Sequence, residues 1–324
     1  MKIADDIGLV LEGGGFRGCY TAGALKWLLD HDIEMPYTAA ISATAMYAFL
    51  YIAKKPEELS AVSMSAVLDP NFVGFRSVLR EGALVGYNYL LKKYVMPTYK
   101  DNLAIIKASA QIGEVGAMNM TTQQLEYTDM RDLDDQGQLL KASCTLPLTG
   151  RITTVDGQKW MDGGIDTMVS LRRSQACGHV MNLVIVTKDK NYVRKENPAI
   201  VNFMLRTAYH RYPRMLQTLS QRVQAYYDQM QAVYDAQDQG LAILIRPTRD
   251  CGVKRFSGTP DQLKEMFELG YHDMEERKDD ILRLLGIKTQ SIPDALDPAK
   301  FKRPLRKMPK PAPRVGAAKG RKKG

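Results

Sequence analysis

The sequence predicts an α/β fold with a mainly parallel sheet covered by helices on both faces. Three observations predict it. Short apolar runs lack polar alternation, as strands buried on both faces do. Segments with apolar residues three and four apart separate them. Glycine turns punctuate the junctions, and this alternation is the pattern of a parallel sheet. Ile7-Gly8-Leu9-Val10-Leu11 is the first strand, stopped by Glu12-Gly13-Gly14-Gly15. A helix follows through Tyr20, Ala24, Trp27 and Leu28 to about His31, and Ala39-Ala40-Ile41 is a second strand leading into Ser42. Leu183–Val186 and Leu241–Ile245 read as central strands. Between Phe203 and Tyr234, the positions Leu216, Leu219, Val223, Tyr226, Met230 and Val233 keep helical spacing, interrupted upstream by Pro213. That stripe reads as core packing. No internal repeat is evident.

At 324 residues and 45% hydrophobic, the chain is large enough to bury one big core or two ordinary ones, which excludes disorder throughout. Residues 35 to 53 carry no charge, but Pro36, Thr38, Ser42 and Thr44 argue for a buried strand running into a buried helix rather than a membrane span. Asp5 and Asp6 stand where a secretory signal needs basic and then apolar residues, so the chain is read as cytoplasmic. Cys19, Cys144, Cys177 and Cys251 are scattered singly, so free thiols are expected and neither a disulfide framework nor a metal site.

The positive charge is localised. From Lys288 onward twelve Lys or Arg stand against Asp294 and Asp297, which leaves +10 there and −1 over residues 1–287 of the +9 total. The basic, Pro-rich segment 288–324 therefore reads as a disordered tail suited to peripheral contact with an anionic membrane. A solubilising tail without a dedicated partner is the alternative. No specific nucleic-acid partner is predicted.

Gly13-Gly14-Gly15-Phe16-Arg17-Gly18 lies between a strand and a helix, where backbone N–H groups face an anion. Its spacing also satisfies the dinucleotide fingerprint, but the second strand ends in Ser42 where a ribose-binding acid belongs. A serine at the end of a buried strand, followed by Ala43, Thr44, Ala45 and Met46, suggests a nucleophile elbow. Asp162, in Trp160-Met161-Asp162-Gly163-Gly164, offers a base at an abrupt turn, although Asp-Gly is also an ordinary turn signal.

Taken in order, these three motifs resemble the patatin-like phospholipase family. The resemblance extends over residues 7 to 286, through Ser143-Cys144-Thr145-Leu146-Pro147 and Leu183–Arg194, with 198–285 like the C-terminal extension of a bacterial subgroup. It implies a three-layer α/β sandwich with a mainly parallel central sheet and ester hydrolysis by a Ser–Asp dyad. It also implies a catalytic core over 1–190 and a helical extension over 191–287 packed on it. Carried over, Ser42 is the nucleophile, Asp162 the base, and the Gly14 and Gly15 N–H groups the oxyanion donors in a substrate-binding loop of Gly13, Gly14, Gly15, Arg17 and Gly18. Arg17 is expected to support that loop. The implied partner is a lipid or small acyl ester, with no cofactor and no metal.

The family's G-x-S-x-G elbow is altered here to Ala40-Ile41-Ser42-Ala43-Thr44. Thr44 adds a branched side chain where strand and helix approach, so a displaced elbow, and with it an inactive lipid-binding relative, is an open alternative. A triad using His179, His210 or His272 is another.

Overall fold

The computed structural model describes residues 6–286, so the tail reading for 288–324 falls outside the described residues. The first part alternates as expected: β1 (Ile7–Leu11), α1 (Gly18–Asp30), β2 (Tyr37–Ile41) and α2 (Ala43–Ile52). Four further helices follow, α3 (Pro56–Ser60), α4 (Phe75–Glu81), α5 (Tyr87–Leu90) and α6 (Met96–Ala108), and then an antiparallel pair, β3 (Ile112–Asn119) and β4 (Gln124–Asp129). Next come α7 (Gln138–Cys144), β5 (Thr153–Val155), β6 (Gln158–Asp162), α8 (Leu171–Ala176) and β7 (Met181–Ile185). The remainder comprises α9 (Ala199–Ala208), α10 (Pro213–Asp238), β8 (Ala242–Ile245), α11 (Pro260–Glu276) and α12 (Lys278–Leu284).

The strands make one sheet in the order β5–β6–β3–β2–β1–β7–β8, with β4 also paired to β3. The run β3–β2–β1–β7–β8 is parallel, β4 and β6 pair antiparallel with β3, and β5 pairs antiparallel with β6. Alternate residues feed opposite layers, as strand geometry requires. Leu9 and Leu11 of β1 join the cluster that holds Trp27, Leu25 and Leu28 of α1, whereas Val10 joins Tyr226, Met230 and Val233 of α10 on the opposite face. This is a three-layer α/β sandwich with a mainly parallel sheet.

The uncharged stretch 35–53 is β2 running into α2, with nearly every residue buried. Among the described residues no helix is long and apolar enough to cross a membrane. Pro213 opens α10, where its missing N–H costs nothing, rather than interrupting it. The segment after residue 190 is not helical throughout: β8 extends the central sheet beside β7. Its α11 packs on α1, where Tyr20 donates to Asp273 at 2.9 Å and Trp27 to Glu275 at 2.6 Å.

The register of β3 positions the two motif residues. Ile41, the last residue of β2, stands opposite Gly116, and Asp162, the last of β6, stands opposite Ala117. Because β4 occupies the other edge of β3, β2 and β6 meet end to end along one edge. Ser42 and Asp162, 120 residues apart in sequence, are thereby brought to the same point.

Candidate active site

Ser42 sits between β2 and α2 with φ 64° and ψ −140°. A non-glycine residue holds such a conformation at a cost of about 1–3 kcal/mol, and only where its surroundings enforce it. Here they do. The Ser42 N–H donates to Ser143 Oγ at 3.1 Å, and that hydroxyl donates to the Gly116 carbonyl at 2.7 Å, tying the turn to β3 at the gap between β2 and β6. Ser42 Oγ then donates to Asp162 Oδ2 at 2.8 Å.

Asp162 is almost fully buried, and its other oxygen, Oδ1, accepts the Gly164 N–H at 2.7 Å. Burial pushes its carboxyl up from 3.8 to about 6, opposed by the hydrogen bonds from Gly164 and Ser42 and by the charges of Arg222 and Arg255. Gly163 is required by a close approach, since a Cβ there would stand 2.5 Å from the Gly116 carbonyl oxygen.

The glycine loop lies against this pair, with the site of a Gly13 Cβ 3.0 Å from Ser42 Cβ. Not every member is free to bind substrate. Gly13 N–H donates to Met168 O at 3.2 Å and Phe16 N–H to Arg255 O at 3.0 Å, which leaves the N–H groups of Gly14 and Gly15 without partners among the described residues. Gly15 has φ 60°, and a Cβ there would fall 2.4 Å from Arg255 O. These backbone bonds hold the loop, while the Arg17 guanidinium lies over Tyr192, 5.6 Å from the ring centroid.

The altered elbow is accommodated. Ala40 is buried in β2, and Thr44 is buried at the start of α2, where its hydroxyl donates to Ile41 O at 2.8 Å. The branched side chain thus satisfies the carbonyl preceding Ser42, and the turn keeps its hydrogen bond to Asp162. Thr44→Gly is expected to cost about 1–3 kcal/mol through a lost hydrogen bond and helix entropy. It is expected to leave esterase kcat within about threefold, because there is no crowding to relieve. Parallel chemical denaturation and ester assays check this.

The candidate histidines of a triad stand elsewhere. His179 stacks on Tyr37, His210 meets Thr207 O, His272 faces Glu276, and His31 stacks on Trp27. No histidine lines either cavity beside Ser42. The position where a dinucleotide fold holds a ribose carries Ser42 bonded to Asp162. Cys19, Cys144 and Cys251 are buried free thiols and Cys177 an exposed one, and no metal-ligating cluster occurs among the described residues.

Two cavities meet at Ser42, Gly15 and Leu146. One is apolar, walled by Phe16, Met46, Tyr47, Val62, Phe72, Tyr87, Leu90 and Phe256. The other is polar and holds Asp162 with Arg17, Lys188, Arg194, Arg222 and Arg255. Sequence reasoning missed four of those five cations. Arg222 carried a signal: it stands three residues after Leu219 and four before Tyr226, a cation on the core-facing stripe of α10. In place, its Nε donates to Gly164 O at 2.6 Å, bracing the turn after Asp162.

A family model described as Patatin-like phospholipase matches residues 9–171. A second, described as a domain of unknown function (DUF6363), matches residues 212–286. Among solved structures the chain is similar to the crystal structure of VipD from Legionella pneumophila, with 14% sequence identity and a TM-score of 0.49 over 86% of this chain and 67% of that one. No curated protein matches.

Proposed function

The chain belongs to the patatin-like phospholipase family, a family of lipid hydrolases, and we propose that it is a serine acyl hydrolase acting through a Ser42–Asp162 dyad. The observation that carries this reading is the 2.8 Å hydrogen bond from Ser42 Oγ to Asp162 Oδ2. It is made by a serine held at positive φ beside two free backbone donors.

In this reading Ser42 Oγ gives its proton to Asp162 and attacks the carbonyl carbon of a lipid ester. The oxygen of the tetrahedral intermediate takes negative charge, which the Gly14 and Gly15 N–H groups stabilise by about 3–4 kcal/mol per donor. Collapse expels the alcohol, which takes the proton from Asp162. Asp162 then deprotonates water, which attacks the acyl-serine and releases the acid. The apolar cavity suits the acyl chain. Burial makes the aspartate a stronger base than an exposed one, which a hydroxyl nucleophile requires. The non-catalytic alternative rested on Ala40 and Thr44, and their fit in the elbow favours hydrolysis.

A base that must be ionised gives an acid limb. We expect kcat/KM for a neutral ester to fall tenfold per pH unit below about 6, the value to which burial raises Asp162. Fatty-acid release from phospholipid micelles across pH 4.5–8 tests both substrate class and base. An acid limb near 4, or no acid released, contradicts the reading.

We propose α4 as the element that contacts a lipid surface. Phe75 is 75% exposed and Leu79 72% exposed, with Val78 and Leu84 also exposed nearby. Phe72 and Tyr87, on either side of this helix, line the apolar cavity, so the patch borders the acyl site. Arg76, exposed on the same helix, complements anionic headgroups. Phe75→Ser with Leu79→Ser is expected to weaken sedimentation with anionic liposomes about tenfold or more. Hydrolysis of a water-soluble ester is expected to change little.

A further inference from the structure

The polar cavity holds more positive charge than ester hydrolysis uses. Lys188 is neutralised locally by an ion pair with the buried Glu12. Arg17, Arg194, Arg222 and Arg255 are not. Among the described residues, the arginines paired with carboxylates are Arg80, Arg131, Arg173, Arg249, Arg277 and Arg283. Arg194 is 8% exposed, with its guanidinium 4.9 Å from the Tyr226 ring centroid and no carboxylate partner. Arg222 is half-buried, and desolvation together with the charges of Arg194 and Arg255 disfavours its protonated form. Cations crowded out of water repel one another and are costly unless an anion joins them.

The charge of that anion follows. Ionised Asp162 offsets one of the four guanidinium charges, and during attack that single negative charge passes to the oxyanion as Asp162 takes the Ser42 proton, so three remain throughout. A phosphomonoester above its second ionisation offsets two of those three. A carboxylate or a phosphodiester supplies only one. The guanidinium fork also matches phosphate oxygens in pairs. Ser42 lines both this cavity and the apolar one, so a single ester can place its acyl chain in one and its alcohol side in the other.

We infer that the polar cavity is a headgroup subsite for a phosphomonoester, so that the favoured substrate is an acyl ester whose alcohol carries that group, of the phosphatidic or lysophosphatidic acid class. Arg194, Arg222 and Arg255, from the segment after residue 190, supply three of its four guanidinium groups. The inference rests on the hydrolase reading above. Only the acyl C–O bond breaks. The alkoxide takes the proton held by Asp162 and leaves with its phosphate intact, and water completes the fatty acid.

The test compares dihexanoyl phosphatidic acid, dihexanoyl phosphatidylcholine and p-nitrophenyl butyrate on the full chain at pH 8. All are kept below their micelle concentrations, so that recruitment to a surface does not enter. Phosphatidic acid is expected to exceed phosphatidylcholine in kcat/KM by about 30-fold or more. Arg194→Gln and Arg255→Gln are each expected to cut that ratio about tenfold through KM, the scale of one lost charge-assisted contact, with partial rescue by Arg255→Lys. Equal rates on the two lipids, or an unchanged ratio in both variants, overturns the headgroup assignment and leaves the hydrolase reading standing. Inorganic phosphate that inhibits butyrate hydrolysis at concentrations below the phosphatidic acid KM marks a free-anion site and also overturns it. Failure of every ester, with no covalent labelling of Ser42, overturns the hydrolase reading itself.

Discussion

Asp162→Asn is expected to lower turnover about 10²–10⁴-fold, the contribution of a positioned general base, and at the same time to raise the melting temperature at neutral pH. The two effects share a cause. Asp162 is buried and its carboxyl is pushed up from 3.8 to about 6, so the folded chain binds that proton more tightly than the unfolded chain does. The resulting stability is fully present below about 4 and is lost as pH rises through about 6. At pH 7 the ionised carboxylate therefore costs about 3 kcal/mol relative to its protonated form. An amide carries no charge, and its oxygen can still accept the Gly164 N–H, so most of that cost is avoided. Calorimetry is expected to show the variant melting several degrees above wild type at pH 7, with the gap shrinking towards pH 4. A variant that melts lower at pH 7 contradicts the assignment of a desolvated, ionised base.

Gly15→Ala is the second large effect. The residue has φ 60°, and its Cβ would fall 2.4 Å from the Arg255 carbonyl oxygen, which accepts the Phe16 N–H. A methyl group there must push the Arg255 segment away or swing the Gly15 N–H off its aim. Loss of one oxyanion donor costs about 10²–10³ in kcat. We expect a loss of at least that size with KM for a small ester changed far less, because the donor acts on charge that develops during attack. Steady-state kinetics on p-nitrophenyl butyrate read it directly. A variant that loses KM instead of kcat places the loop in substrate binding.

Much of the fold was legible because its central strands are buried on both faces. Ile7–Leu11, Leu183–Val186 and Leu241–Ile245 announce themselves as apolar runs, and β1, β7 and β8 stand at those positions. The ordered glycine loop, serine and Asp-Gly-Gly turn were equally legible, because each needs a local backbone that few residues allow. What brings Ser42 to Asp162 was not. That depends on β2 and β6 ending at adjacent residues of β3, a register set by pairings across the chain. The Ser143 tie was hidden for the same reason. Thr44 misled because its side chain was read as bulk alone, whereas its hydroxyl takes the Ile41 carbonyl. Arg194 and Arg255 carried no periodic signal, since they lie outside the helices and strands.

The central claim is that Ser42 is an activated nucleophile, and intact-mass analysis after fluorophosphonate treatment tests it most directly. The wild-type chain is expected to gain one probe mass, Ser42→Ala none, and Asp162→Asn far less than wild type in the same interval. A folded wild-type chain that takes up no probe, or a Ser42→Ala chain that takes up as much, contradicts the account.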